Sequence, residues 1–346
     1  MVEKPVHQRP LKVGVATVGL IGGSIALRAR QADAEVMVWH HNDSPQQWAK
    51  DHGFGFTGEL KYLCEWQPDI LIVASPLNAM ADVMAEVAKH VRLVTTVTDA
   101  GSVKEKVLDA VRTAGIEHQY VGAHPMAGNE KSGFGSASSG LLQGATWAVT
   151  VTEASNPHRV LGVLDFAVNT MDGRVLVTDP ITHDESVSLV SHLPHVLAHA
   201  LTAVTANSDA MKLALALAAG SFRDVTRVAR ESPDRNLAMI TSNHRAVLST
   251  VISAAEFLNT VRTSLEGMVN SPEESTERLS AAFHAGDRAV VQYKSAREAP
   301  HTTQESIEAS QIPQRLVELC STGAVVVGLE ESLEHSTQVS LTLSDS

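Results

Sequence analysis

The chain has 346 residues, 39 of them acidic against 27 basic, for a formal net charge of −12, and only 4% are aromatic. That length supports two domains with their own cores, and the mixed signs leave no basic stripe for nucleic acid. Cys64 and Cys320 form no CxxC pair, which argues against a disulfide framework or structural zinc and fits a reducing cytoplasm; the first ten residues hold no apolar signal core, and no uninterrupted apolar run reaches membrane-spanning length.

Residues 12–18 are an apolar run that predicts the first strand, and Gly19-Leu20-Ile21-Gly22-Gly23-Ser24 follows it directly. A helix is expected over 24–30 and a valine-rich second strand over 35–40. Residues 69–75 (Asp-Ile-Leu-Ile-Val-Ala-Ser) read as a third strand closed by Pro76, and 78–90 as an amphipathic helix. Residues 93–98 predict a fourth strand, with a helix from Ser102. Residues 120–123 predict a fifth, and 146–152 and 174–178 complete the sheet. Strands alternating with helices imply an α/β, mainly parallel, doubly wound sheet over residues 1–180. From Thr182 to about Lys294 the pattern is helical, so residues 181–295 read as an all-helical domain. Thr182 with Glu185 matches a capping box, and Pro194 should kink or break the helix that it sits in. Helices this apolar predict a second buried surface, hence a homodimer built through this domain. Residues 295–311 are polar and read as a linker; 312–346 look like one helix and two strands, too little for an independent core.

The glycine loop sits between a strand and a helix, as a dinucleotide fingerprint should. Glycine admits the pyrophosphate to the backbone, and the helix N-terminus supplies amide donors. Thr17 stands where the first glycine is usual. Gly19, Leu20, Ile21 and Gly22 are the expected phosphate contacts, with Ser75 at the end of the third strand. An NAD site usually places a carboxylate at the end of the second strand; here the chain reads Trp39-His40-His41-Asn42-Asp43-Ser44. Without the carboxylate, His40, His41 and Ser44 could receive a 2′-phosphate, which tilts the expectation from NAD toward NADP.

A polar loop, His124-Pro125-Met126-Ala127-Gly128-Asn129-Glu130-Lys131-Ser132-Gly133, follows the fifth strand and carries an imidazole, a carboxylate, an ammonium and a hydroxyl. His183, Asp184, His192, His195 and His199 crowd the first helix of the second half, but their spacings match no standard metal set, so no metal is expected.

These pieces resemble the prephenate/arogenate dehydrogenase family of tyrosine biosynthesis. The resemblance rests on the glycine loop, Thr98-Asp-Ala-Gly-Ser-Val-Lys104, His124-Pro-Met-Ala-Gly128 with Glu130 and Ser132-Gly133, Ser191-His-Leu-Pro-His195 and Phe222-Arg-Asp-Val-Thr-Arg227, in order over about residues 12–295. It implies a Rossmann-type domain, a helical dimerisation domain and NAD(P)-dependent oxidative decarboxylation of prephenate or arogenate. It makes His124 the catalytic base toward the ring hydroxyl and Ser102 its partner on the same hydroxyl. Arg227 becomes the carboxylate clamp, His195 a substrate contact, and Glu130 a gate at the mouth of the site. Ser102 with Glu105 also matches a capping box, a competing use of the same oxygen. Lys104 and Lys131 are expected on solvated faces, and Arg223 is expected to pair with Asp224 or Asp184. The segment 312–346 vaguely resembles part of an ACT regulatory fold, at Leu316–Leu319 and Glu334-His335-Ser336. Two other readings stay open: a β-hydroxyacid dehydrogenase, for whose helical-domain lysine only Lys212 sits early enough, and a nucleotide-sensing module without turnover.

Overall fold

The computed structural model describes residues 9–129, 131–230, 232–295, 302–331 and 338–345. Strands β1 (Lys12–Ala16), β2 (Glu35–Trp39), β3 (Gly55–Thr57), β4 (Ile70–Val73) and β5 (Thr96–Asp99) form a parallel sheet in the order β3-β2-β1-β4-β5. All four residues of β4, Ile-Leu-Ile-Val, are buried, as in a central strand covered by helices on both faces. The sequential helices are α1 (Leu20–Gln31), α2 (Gln46–Asp51), α3 (Leu60–Glu65), α4 (Met80–His90) and α5 (Lys104–Ala114). Because β1 lies beside β4, the winding reverses between them, and the carboxyl ends of these strands border the crevice where such folds bind ligands. Helix α1 begins at Leu20, four residues earlier than expected, so the later glycines of the loop lie inside its first turns.

The sheet continues past β5. Val121 N donates to Val97 O at 3.0 Å, and Val97 and Tyr120 form a parallel bridge. This attaches β6 (Gly122–Pro125), which pairs antiparallel with β7 (Thr146–Thr150); β7 pairs in parallel with β8 (Arg174–Thr178). Helix α6 (Pro157–Asp165) links those last two strands.

The C-terminal segment corrects the linker reading. Residues 302–308 form β9 (Thr302–Glu308), which pairs antiparallel with β11 (Gln338–Asp345) from Thr302↔Ser344 to Glu308↔Gln338. β11 pairs with β10 (Ala324–Glu331), and β10 meets β8 at Val326↔Val175, giving the order β6-β7-β8-β10-β11-β9. An edge strand needs only one apolar face, and in β9 Ile307 alone is fully buried, so composition hides it. Leu316, Val326 and Leu341 join Val175 and Val149 in one core, so this segment extends the first domain's packing. Glu334-His335-Ser336 lies outside the described residues.

The helical half contains α7 (Pro180–Val187), α8 (Leu193–Ala206), α9 (Met211–Leu217), α10 (Gly220–Thr226), α11 (Pro233–Ser242), α12 (His244–Gly267), α13 (Pro272–His284) and α14 (Asp287–Ser295); α15 (Ile312–Ser321) packs against β8. The Thr182/Glu185 box does not form. Asp179 caps α7 instead, its Oδ1 accepting from Ile181 N and Thr182 N, each at 2.9 Å, with Pro180 in the first turn. Pro has no amide to satisfy, which suits that position. A π-turn over Ser188–His192 joins α7 to α8 just ahead of Pro194. By length and composition this continuous run, Pro180–Ala206, could span a membrane. Its inner face, however, carries buried His183, Asp184, His192 and His195.

Candidate active site

The glycine loop is built for close approach. Thr17 takes φ = 78°, the left-handed conformation that a glycine at this position would adopt without strain. It is held there by Ser75, whose Oγ lies 2.7 Å from Thr17 Oγ1, and by its own amide donating to Trp39 O at 2.9 Å. A Cβ on Gly22 would collide with the Thr17 carbonyl oxygen, and one on Gly23 would stand 2.8 Å from Ala137 Cβ. Gly19 is the N-cap of α1 and no side chain caps the helix, which leaves its first-turn amides without a side-chain acceptor, as an anion site at a helix N-terminus requires. These features fit a dinucleotide phosphate.

At the end of β2, His40 turns inward: its Nδ1 accepts from Val18 N at 3.3 Å. Burial, and then the neighbouring His41 ring at 4.3 Å, hold the His40 pKa below its ordinary value. His41 is exposed and bonds Asn42, whose Oδ1 accepts from Ser44 Oγ at 2.6 Å. The ribose end thus carries imidazoles directly after β2, with Asp43 as the first carboxylate beyond them, and His40 is a neutral wall of the loop.

His124 is the third residue of β6, paired with Ala148, rather than a residue of the loop beyond it. It is half-buried at the carboxyl end of a strand that runs parallel to β5. Its backbone is clamped through the preceding residue. Ala123 N donates to Asp99 Oδ1 at 3.2 Å, and Ala123 O accepts from Lys104 Nζ at 2.8 Å. Lys104 Nζ also pairs with Asp99 Oδ2, and neither side chain is exposed at all. Asp99 further accepts from Tyr120 Oη at 2.7 Å and Gly101 N at 2.8 Å. The expectation of a solvated Lys104 is therefore overturned: the ammonium of the Thr98–Lys104 motif points back into the core, where Asp99 compensates it. Burial still pulls its pKa below the ordinary lysine value.

The side chain of His124 is met from the helical half. Its Nδ1 lies 3.0 Å from His183 Nε2, and His183 Nδ1 lies 2.7 Å from Asp184 Oδ1. Asp184 also accepts from Lys104 N at 2.7 Å and Glu105 N at 3.0 Å, so it caps α5 across the domain boundary. The Ser102/Glu105 capping box does not form; Ser102 lies in the turn ahead of α5, and its hydroxyl is released from capping. Burial, followed by the nearby His183 and Lys104, holds His124 well below the ordinary histidine pKa, so the ring is a neutral base at pH 7.

His192 is fully buried, with Nδ1 3.1 Å from Asn243 Nδ2, which also donates to Asp184 O at 2.7 Å. Burial pushes its pKa down to about 4. His195 is nearly buried one turn on, its Nδ1 donating to Ser191 O at 2.8 Å. Arg227 is exposed on the turn Arg227–Arg230, which packs on α8, the helix that carries His195. Arg223 pairs with Asp224 at 3.2 Å on the surface. Glu130 lies outside the described residues. The structure thus joins His124 to His183 and Asp184, a link that sequence spacing left as an unexplained histidine-rich helix.

Two family models cover the chain: prephenate dehydrogenase, nucleotide-binding domain, over residues 24–177, and prephenate dehydrogenase, dimerization domain, over 179–285. The chain belongs to the prephenate dehydrogenase family. Within that family it is 28% identical to prephenate dehydrogenase of Bacillus subtilis over 78% of this chain and 72% of the relative. Prephenate dehydrogenase from A. aeolicus, solved in complex with hydroxyphenyl propionate and NAD+, superposes with a TM-score of 0.72 at 25% identity, over 83% of this chain and 99% of that one. Synechocystis arogenate dehydrogenase gives 0.68 at 26% identity, over 81% and 100%. This protein is therefore an oxidoreductase of the prephenate, cyclohexadienyl and arogenate dehydrogenase group, with a Rossmann-type nucleotide-binding domain and a helical dimerisation domain.

Proposed function

We propose that this protein catalyses the nicotinamide-dependent oxidative decarboxylation of prephenate to 4-hydroxyphenylpyruvate. Arogenate is the second candidate substrate, on the likeness to an arogenate dehydrogenase. The observation that carries the reading is His124: a neutral, half-buried imidazole at the carboxyl edge of the sheet, oriented from behind by His183. Such a group removes the proton of a ring hydroxyl as the alcohol is oxidised. Gly19, Leu20, Ile21 and Gly22 would hold the dinucleotide phosphates, with Thr17 and Ser75 shaping the turn. The bound nicotinamide would supply the hydride acceptor. Ser102 shares the substrate hydroxyl with His124, His195 contacts the substrate from α8, and Arg227 anchors a carboxylate as a charged fork.

The ribose end favours acceptance of NADP, since His40 and His41 stand directly after β2 where a carboxylate would repel a 2′-phosphate, and Asp43 comes only four residues after the strand. Neutral His40 brings no charge to attract one, so discrimination between NADP and NAD should stay within about tenfold, less than one charged hydrogen bond. The working unit is a homodimer. The helical half leaves Leu189, Val190, Val204, Leu217 and Leu258 exposed, a surface that a second copy would cover. The buried free thiols Cys64 and Cys320 suit a reducing cytoplasm.

The test is direct: supply prephenate or arogenate with NAD or NADP and follow absorbance of the reduced cofactor. Turnover with prephenate supports the reading; no turnover with either substrate rejects it.

A further inference from the structure

We propose that His183, held by Asp184, is a positioning residue that fixes the tautomer of His124, presenting Nε2 as the base and receiving the positive charge that forms there. The inference rests on the reading of His124 as the base. It starts from Asp184, whose Oδ1 and Oδ2 accept the Lys104 and Glu105 amides. A carboxylate in that role is an acceptor, so His183 Nδ1 must donate to it across their 2.7 Å separation. A neutral His183 then has only a lone pair on Nε2. That lone pair faces His124 Nδ1 at 3.0 Å, so His124 Nδ1 must carry hydrogen. Its Nε2 is left unprotonated. The polarity of the chain is set by one buried carboxylate.

The same contacts serve after the proton is taken. When Nε2 of His124 accepts the hydroxyl proton, the ring becomes an imidazolium. Its Nδ1 proton can pass to His183 Nε2, leaving His124 neutral with hydrogen on Nε2 and His183 cationic against Asp184. The proton count is unchanged throughout. His183 is 2% exposed and faces His124 on β6, Asp184 on its own helix, and Lys104 and Asp99 at the start of α5 and end of β5. The two acids on this inner side offset the lysine, whereas the surroundings of His124 contain mainly positive or neutral partners. Charge is thus better tolerated on His183 than on His124.

Histidine-selective 15N labelling of the full-length protein, without substrate, reads the tautomers directly. Nδ1–H on both His124 and His183 is expected; a His124 signal from the Nε2–H form would overturn the proposal whether or not prephenate is the substrate. Kinetics add a second readout. His183→Gln keeps an acceptor for His124 Nδ1 and should retain KM while kcat falls about tenfold. His183→Leu leaves that N–H unpaired and should lower kcat at least about 100-fold and move the acid limb of kcat/KM. Unchanged kcat and an unmoved pH profile in a folded His183→Gln protein would reduce the contact to packing and refute the role. If wild type turned over neither substrate, the functional reading would fail while the tautomer result still decided this one.

Discussion

Replacing Lys104 with methionine should be among the most damaging single changes in the first domain. The side chain is fully buried, as is its partner Asp99, and the ammonium also holds the carbonyl of Ala123. Methionine nearly fills the volume but removes both the charge and the donor. Breaking a buried pair from one side costs about 3–5 kcal/mol, because the remaining charge stays in a poorly solvating site. Asp99 keeps three donors, Tyr120 Oη, Gly101 N and Ala123 N, which places the expected loss near the lower end, ~3 kcal/mol. Urea unfolding at fixed protein concentration would measure it, since an associating protein's stability depends on concentration. Adding Asp99→Asn to Lys104→Met should recover part of the loss by neutralising the stranded carboxylate. A cost below about 1 kcal/mol for Lys104→Met alone, with no rescue by Asn, would show that Asp99 is solvated or protonated and that the pair is not as described. Turnover should fall as well, since the Ala123 carbonyl that precedes His124 loses its donor.

The other predictions bear on single parts of the site. His124→Asn should lower kcat by about 10²–10⁴-fold while cofactor binding, measured by quenching or calorimetry, persists; retained activity would remove His124 from the role of base. Arg227→Ala should raise the substrate KM by about 10–100-fold and leave the cofactor KM alone; a change in the cofactor constant only would show that the arginine serves the wrong ligand. Neutral His192 is favoured in the folded state, with its pKa pushed down to about 4, while the unfolded chain takes up its proton near the ordinary 6.5. Stability should therefore fall as pH drops from 6.5 toward 4, by ~3 kcal/mol from this residue at ~1.4 kcal/mol per pH unit; His192→Asn should flatten that slope in thermal unfolding, and an equal slope in the variant would contradict the assignment. At Thr17, the usual order of helix-free substitutions should invert. Thr17→Ala keeps the positive φ and loses the Ser75 contact, so Thr17→Gly should be the more stable by ~1 kcal/mol.

What could be read in the sequence was whatever is encoded locally. The valine and isoleucine runs of β1, β2 and β4 announced a buried parallel sheet, and the glycine loop announced its ligand edge. Thr17 looked like a flaw in that loop, yet it adopts glycine's conformation because the Ser75 hydroxyl and the Trp39 carbonyl hold it. What could not be read was encoded between distant segments. Lys104 looks like any helix-start lysine; only the return of β6 beside β5 places Asp99 and Ala123 around its ammonium. Residues 302–308 look like a linker because their stability comes from backbone pairing with β11, which no side-chain period reports. His183 was one of several histidines in an apolar helix. Its partner lies 59 residues away in the chain, and no spacing rule reaches that far.

The two halves are fastened by a carboxylate as well as by apolar contact. Asp184 leaves α7 to cap α5 with both oxygens and to orient His183, while its own carbonyl receives Asn243 from the N-cap of α12. Each of these bonds is directional, so a shift of α7 along the sheet would strand two amides at a buried helix end. An apolar boundary would tolerate such sliding far better, because hydrophobic attraction carries little angular preference. His124 is therefore held in register by one domain through its backbone, at Ala123, and by the other through its ring, at His183.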